Sequence, residues 1–331
     1  MTSSTAVILT GESGSVYIVS GRNVDSRVRE WFLWNNNEKF IGKGPDPAHN
    51  AEGSWAAFHQ DESMRRLFQE QDMISRWVDF IPTGFYVPLM VLVPFEQTLW
   101  EARHRRPMTT LEIKWIMKRL LLNIQQIHLQ NFVHTEITME NIGITGFDNN
   151  KPTETVHEII VYIASCGSIC RPNSKPGITS RTYRSPEVYF GKAWGYGTDT
   201  WSWGIIFAQL LLAQKDFYSP GMLDAILTFP NDNVAQVLRE RIAADFDLFH
   251  MPYYTQALKS DRVLPSEGNT YKWTDDMMEK GNVEADIRFV VEVLDPHPGT
   301  RPTVHQLLNH WYLSLAHLND GYIYEAGANT G

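Results

Sequence analysis

The chain has 331 residues, 43% of them hydrophobic and 20% charged, which is enough material for one large core or for two lobes sharing a cleft. Its net charge of −9 (29 basic against 38 acidic residues) argues against a nucleic-acid-binding surface. No run approaches the ~18 apolar residues of a membrane span, and the stretch Met1–Gly11 lacks the basic region and long apolar core of a signal peptide.

The only cysteines, Cys166 and Cys170, exclude a disulfide framework and point to a reducing compartment, the cytoplasm or nucleus. With no second Cys or His pair beside them they make a poor zinc site and read as core or loop residues.

In chain order, Gly14–Ser20, Arg27–Trp34 and Glu38–Lys43 read as short strands, rich in aromatic and β-branched residues and bounded by Gly, Asn or Asp. Asn35–Asn37 is a turn, and Gly44–Gly53 a loop. Ser63–Ser75 is expected to be a helix with Met64, Leu67, Phe68 and Ile74 as its apolar side, and Phe85–Phe95 to form strands that end in a connector. Thr109 and Glu112 form a capping-box pattern. The helix behind them repeats apolar residues on one face, at Ile113, Ile116, Met117, Leu120, Ile124 and Ile127. A helix beginning near Thr198 is apolar nearly all round, the mark of a segment at the centre of a domain. A last helix is expected over Val304–Leu315, and His317–Gly331 is expected to fray.

The fold class is therefore α+β and two-lobed: an extension at 1–13, a small β-rich lobe at 14–95, a large helical lobe at 96–316, and a tail at 317–331.

Five segments occur in a telling order. They are H-T-E-I-T-M-E-N (His134–Asn141), I-A-S-C-G-S (Ile163–Ser168), T-Y-R-S-P-E (Thr182–Glu187), D-T-W-S-W-G (Asp199–Gly204) and L-D-P-H-P-G-T-R-P-T (Leu294–Thr303). On these segments the chain resembles the eukaryotic protein-kinase family from about Gly21 to Leu315, and most closely fungal serine/threonine kinase-like proteins. The resemblance implies ATP and Mg²⁺ as cofactors and a protein substrate or partner.

It also implies a structural role for four residues. Glu187 would pair with Arg301, Asp199 would accept hydrogen bonds from the catalytic-loop backbone, and His134 would pack and hydrogen-bond in the core.

On the nucleotide side the resemblance makes Lys43 the phosphate-binding lysine, paired with Glu70, with Asp72 a near neighbour of that position. Its glycine-rich loop would run from Gly21 to Val28, with Asn23 and Ser26 replacing two glycines; a second register through Gly11 and Gly14 lies too far from Lys43. Leu92 would precede the hinge, where the backbone of Val93 and Phe95 would hold adenine, Pro94 having no N–H to offer.

On the chemical side the working groups depart from the family. Glu136 stands at the catalytic Asp position, Thr138 at the catalytic-loop Lys, and Ser165 at the metal-binding Asp, while Asn141 is kept. Glu136 is one methylene too long, Thr138 carries no cation, and Ser165 removes the main anionic ligand of Mg²⁺. Thr135 replaces the Arg that binds a phosphorylated activation segment, and Ser180 replaces a Thr that bonds the catalytic groups.

The expectation is a pseudokinase that acts by binding protein, with ATP binding weakened in its metal. The alternatives are an active divergent serine/threonine kinase, with Glu136 as base and Glu158 or Asp148 supplying an acid, or a small-molecule phosphotransferase, against which T-Y-R-S-P-E argues. The basic cluster Ala102–Pro107 reads as a solvated loop or a docking site for acidic groups. His297, His305 and His310 read as surface or capping residues rather than metal ligands.

Overall fold

The computed structural model describes residues 7–23, 29–46, 51–84, 87–153, 155–174, 178–222, 234–263 and 270–314. Its first lobe is a six-stranded antiparallel sheet in the order β1-β2-β3-β4-β6-β5. The strands are β1 (Val7–Thr10), β2 (Val16–Asn23), β3 (Arg29–Asn35), β4 (Glu38–Gly44), β5 (Trp77–Gly84) and β6 (Val87–Leu92). Tyr17 and Leu33 point inward while Val16, Ile18 and Trp34 stay exposed, so period-two alternation sets the faces. Asn36 and Asn37 both have positive φ (48° and 68°), the backbone that a two-residue hairpin demands and that Asn tolerates.

Two features differ from the sequence reading. Val7–Thr10 pairs with β2 and so belongs to the sheet rather than to an extension, and β5 is a strand that the reading did not contain.

The sheet curls until its two ends meet. Glu12 N–H donates to Phe80 O (2.8 Å), and the Asp79 carboxylate gathers Ser13 N–H (3.1 Å), Ser13 Oγ (2.6 Å) and Tyr17 Oη (3.0 Å). A Cβ on Gly11 would lie 1.9 Å from Asp79 Oδ2, so this close approach requires glycine. Gly11 and Gly14 thus serve the β1–β2 turn, and β2 and β3 are connected through residues 24–28. Val28 and Ser26 lie in that connection, outside the described residues. Gly21 lies in β2, where an added Cβ would make only an ordinary contact with Phe32 (3.6 Å).

Helix α1 (Ala51–Leu67) packs against the sheet. It begins and ends well before the expected Ser63–Ser75. The second lobe is built on α3 (Thr110–Leu129), whose six inward residues Ile113, Ile116, Met117, Leu120, Ile124 and Ile127 are fully buried. Its Thr109/Glu112 capping box is formed. Helix α5 (Gly197–Lys215) is buried on all sides from Thr198 to Ala213. Trp203 stacks on Phe207 (5.1 Å) and donates its indole N–H to Met117 O (2.9 Å), which satisfies the one polar atom of that large buried ring.

Shorter helices complete the lobe: α2 (Leu99–Arg103), α4 (Pro186–Tyr189), α6 (Val234–Asp245), α7 (Thr255–Ser260), α8 (Lys272–Glu279), α9 (Glu284–Val293) and α10 (Val304–Leu308). The expected last helix is split. After α10, His310 caps a single 3-10 turn at Trp311–Leu313. The tail at 317–331 lies outside the described residues.

A small sheet, β7 (Gln97–Thr98), β8 (Ile142–Thr145) and β9 (Ile160–Ile163), lies at the junction of the lobes. Ile163 N–H donates to Met73 O (2.8 Å), which ties β9 to the chain leading into β5. The architecture is α+β and two-lobed, one lobe a curled sheet and the other helical.

Candidate nucleotide and phosphotransfer site

Lys43 lies near the end of β4, opposite Met90 of β6, and is 5% exposed. Its ammonium donates to Asp61 Oδ2 (2.5 Å) and to Ser165 Oγ (3.2 Å). Asp61 sits on α1, one turn before Arg65, whose Nε donates to Asp61 Oδ1 (2.8 Å). The same Oδ1 accepts Cys166 N–H (3.2 Å). Arg65 spends its other donors on Ser75 O and Ala164 O, both at 2.7 Å. Burial alone would push the Asp61 carboxyl up; the adjacent Arg65 and Lys43 cations outweigh it and hold the carboxyl below its ordinary value.

Glu70, expected to be this partner, is exposed in the turn after α1 and does not pair with Lys43. The reason is the composition of α1. Its inward face carries the charged Asp61 and Arg65 beside Phe58 and Met64, so a search for apolar periodicity skips its first half. Asp72, the other neighbour considered, is also exposed. The missed signal was the i,i+4 pair Asp61/Arg65 itself.

At the hinge, Val93 N–H donates to Arg76 O (2.8 Å) and Val93 O accepts Ser75 Oγ (3.0 Å). The Val93 N–H is therefore spent inside the protein and not available to a base, which leaves Phe95 as the hinge residue with a backbone donor. The Phe95 ring lies on β8: a Cβ on Gly143 would fall 2.4 Å from it, so only glycine at 143 admits this ring. Leu92, before the hinge, is buried between Ile41 and Trp77.

The catalytic-loop segment is anchored by Asp199, buried at the start of α5. Its carboxylate accepts His134 N–H (2.8 Å), Thr135 N–H (2.9 Å) and His128 Nε2 (3.0 Å). His134 Nδ1 accepts Glu136 N–H, so its Nε2 carries the proton and donates to Ser165 O (2.9 Å). Burial lowers its pKa, in keeping with this neutral tautomer. Thr135 adopts a positive φ of 64°, strained for a β-branched residue, and its hydroxyl donates to Ser168 O (2.7 Å).

Glu136 Oε1 accepts both the N–H of Ser180 (3.0 Å) and its hydroxyl. Asn141 Nδ2 donates to Glu136 O (3.1 Å). Thr138 is buried and supplies no cation. Asp148, one of the acids considered as a replacement, caps a turn through Asn150 N–H (2.9 Å), and Glu158 is exposed in the turn before β9.

The residues present do not fit a magnesium site. That hard cation wants anionic oxygens. Ser165 offers a neutral hydroxyl already facing Lys43, and Asn141 is the one other ligand of the expected pair. Among the described residues no cluster of three or more His, Cys, Asp or Glu is placed to hold a metal.

The segment after Ser165 is held by hydrogen bonds within the protein. Val133 and Cys170 exchange backbone hydrogen bonds (2.9 and 3.0 Å), and Arg171 donates to Asn131 O (3.1 Å). Thr179 has φ of 68°, and Arg184 donates to its carbonyl (2.7 Å) and to that of Ile178 (3.0 Å). Glu187 and Arg301 form a fully buried bidentate pair at 2.8 and 2.9 Å, and Arg301 also reaches Gly197 O (2.8 Å).

The basic cluster at 102–107 is largely structural rather than solvated. Arg103 donates to Ser219 O (2.7 Å), and Arg106 chelates Glu112 at 2.9 and 2.6 Å. His310 caps the final turn, and His297 and His305 make local hydrogen bonds.

A family model for the protein kinase domain matches residues 26–313. The chain is 28% identical over 188 residues to a probable serine/threonine-protein kinase clkA of Dictyostelium discoideum, covering 47% of this chain and 20% of that protein. It is 28% identical over 221 residues to a probable dual specificity protein kinase YAK1 homolog of Encephalitozoon cuniculi, covering 61% and 49%. To the serine/threonine-protein kinase RIM11/MSD1 of Saccharomyces cerevisiae it is 23% identical over 267 residues, covering 77% and 62%. The chain thus spans less than two thirds of each of these relatives.

Proposed function

Because the chain belongs to the protein kinase family, we propose that it is a pseudokinase, a kinase-fold protein that transfers phosphate weakly or not at all and acts by binding other proteins. The observation that carries this reading is Ser165. It stands where the family places its metal-binding carboxylate, and its hydroxyl faces Lys43 at 3.2 Å. Phosphoryl transfer depends on neutralising charge at the γ-phosphate, and no anion is offered there for the metal that does so. Glu136 supports the reading further, since its Oε1 is occupied by Ser180.

Nucleotide binding without strong metal dependence is part of the proposal. Lys43 remains the cation for phosphates, Phe95 offers hinge backbone to adenine, and Asp61 keeps the lysine in place. The partner class is protein. Among the described residues no helix is long and apolar enough to cross a membrane. A cytoplasmic or nuclear site of action is supported by two free cysteines, one of them buried.

The second reading, an active divergent serine/threonine kinase, is favoured by the surviving Glu136 carboxylate and the intact Lys43–Asp61 pair. A thermal-shift measurement with ATP, with and without Mg²⁺, on wild type and Lys43→Ala separates the two. Ligand at a hundred times its dissociation constant adds about 2.7 kcal/mol, a midpoint shift of a few degrees. A shift with ATP alone, lost in the variant, is the result expected. A Mg²⁺-dependent shift accompanied by autophosphorylation that Glu136→Ala abolishes would replace the proposal with the active-kinase reading.

A further inference from the structure

A cavity of about 530 Å³ opens in the helical lobe between α9, α10 and the residue leading into α8. None of Lys43, Glu136, Asn141 or Ser165 lines it, and neither does any hinge residue. Met251, Val291, Pro296, Pro302 and Leu307 give it apolar walls, and Tyr271 adds an aromatic one. Its charged groups are of one sign: the carboxylates of Glu292 and Asp295 line it, and no lysine or arginine does. Asp295 Oδ1 accepts His297 N–H (2.8 Å), while its other oxygen has no partner among the described residues. Glu292 is exposed and lies 3.4 Å from His310 Nε2. His310 Nδ1 accepts Tyr312 N–H (3.2 Å), so the ring that caps the final turn carries one proton and no charge. The Tyr271 hydroxyl is pushed up, first by burial and then by Asp295 and Asp247, as expected of a wall in a negative field.

The volume lies within the ~300–1,000 Å³ of ligand sites. A purely apolar occupant would cover both carboxylates without a counter-charge, which is costly, and an acidic one would be repelled. A small inorganic cation would leave the apolar walls uncovered, and among the described residues no metal-ligating cluster forms. A lysine or arginine side chain meets both demands. Its stem packs on the prolines, Val291 and Leu307, and its charged head meets the carboxylates and the Tyr271 ring. Apolar surface continues past the rim, where the exposed Trp311 ring stands 5.6 Å from the His310 ring. This chain's own C-terminus does not supply the cation, since no Lys or Arg follows Ser314. We propose that this cavity receives a lysine or arginine side chain, flanked by an apolar residue, from a partner protein. The net charge of −9 steers such a basic segment toward the chain, and the cavity sets where it docks. The site goes beyond the pseudokinase reading and holds whether or not phosphate is transferred.

The test is fluorescence anisotropy of the full chain at about 0.15 M salt with a short fluorescein-labelled peptide of alternating lysine and leucine, beside its glutamate-for-lysine counterpart. Saturable binding of the lysine peptide is expected. Glu292→Lys, and Asp295→Asn, which keeps an acceptor for His297 N–H, are each expected to weaken it about tenfold. Glu38→Lys makes the same charge change as Glu292→Lys at an exposed position of the other lobe, and is expected to alter binding less than about twofold. Equal weakening by Glu292→Lys and Glu38→Lys, or equal binding of the two peptides, overturns the proposal. Should a variant fail to fold, hydrogen exchange on the wild type decides. Protection by the lysine peptide at 290–296 and 302–310 supports docking here, and protection elsewhere or nowhere overturns it.

Discussion

The Lys43 ammonium and the Asp61 carboxylate lie 2.5 Å apart in the interior, and Arg65 closes on the same carboxylate from the next turn of α1 at 2.8 Å. One anion thus serves two cations, and the second cation reaches onward to Ser75 O and Ala164 O. Helix α1, the chain entering β5 and the segment around Ser165 are held by a single hydrogen-bonded cluster.

Removing the shared anion leaves two buried cations uncompensated. Asp61→Asn is expected to cost about 3–5 kcal/mol, the range for breaking one partner of a buried pair. Glu70→Gln, altering an exposed turn residue, is expected to stay within about 0.5 kcal/mol. Urea denaturation of the two variants checks both. A loss for Glu70→Gln as large as that for Asp61→Asn would contradict the assignment of the pairing to Asp61 alone.

The Ser165 position is open to a direct gain-of-ligand test. Ser165→Asp places a carboxylate beside Asn141 and is expected to create a Mg²⁺-dependent thermal shift with ATP, of a few degrees at saturating ligand. Absence of any magnesium effect in this variant would locate the defect elsewhere in the cleft.

Glu112 offers a pH signature. Burial would push its carboxyl up, but Arg106 and the N–H groups of Thr109 and Thr153 hold it down to about 2. The folded value lies below the unfolded one, so the stabilisation is complete above the unfolded pKa of about 4.5 and is lost as pH falls toward about 2. Glu112→Gln is expected to be less stable by on the order of 2 kcal/mol at neutral pH. The gap from wild type should narrow over that acid window in pH-dependent denaturation.

Thiol labelling distinguishes the two cysteines. Burial pushes the Cys166 thiol up to about 12, and Asp61 adds to the effect against Arg65 and Lys43. In the native protein at neutral pH, a maleimide is expected to modify the half-buried Cys170 and to reach Cys166 only on unfolding. Mass spectrometry of the labelled peptides reads this directly, and rapid native labelling of Cys166 would contradict its burial.

The Glu187–Arg301 pair is fully enclosed and bidentate. Arg301→Met is expected to cost about 3–5 kcal/mol because it strands a buried carboxylate. The double variant Glu187→Gln with Arg301→Met is expected to recover part of that loss. Chemical denaturation of the cycle measures the difference.

Local signals and chain order were legible where one physical rule acts alone. The Thr109/Glu112 cap and the apolar face of α3 follow from helical periodicity, and the all-apolar α5 follows from burial on every side. The five motifs named the two-lobed architecture. They also placed Ser165, Glu136 and Asn141 on adjoining segments whose hydrogen bonds now link them. By itself the sequence determined which chemical groups stand at the working positions, above all that a hydroxyl replaces a carboxylate at 165. Only the tertiary structure decided which side chains meet. It selected Asp61 over Glu70, spent the Val93 N–H on Arg76, and put the Phe95 ring over Gly143. These outcomes depend on how α1 and the hinge pack against β4 and β8. The free energy of a buried charge is set by partners distant in the chain, which no local periodicity records.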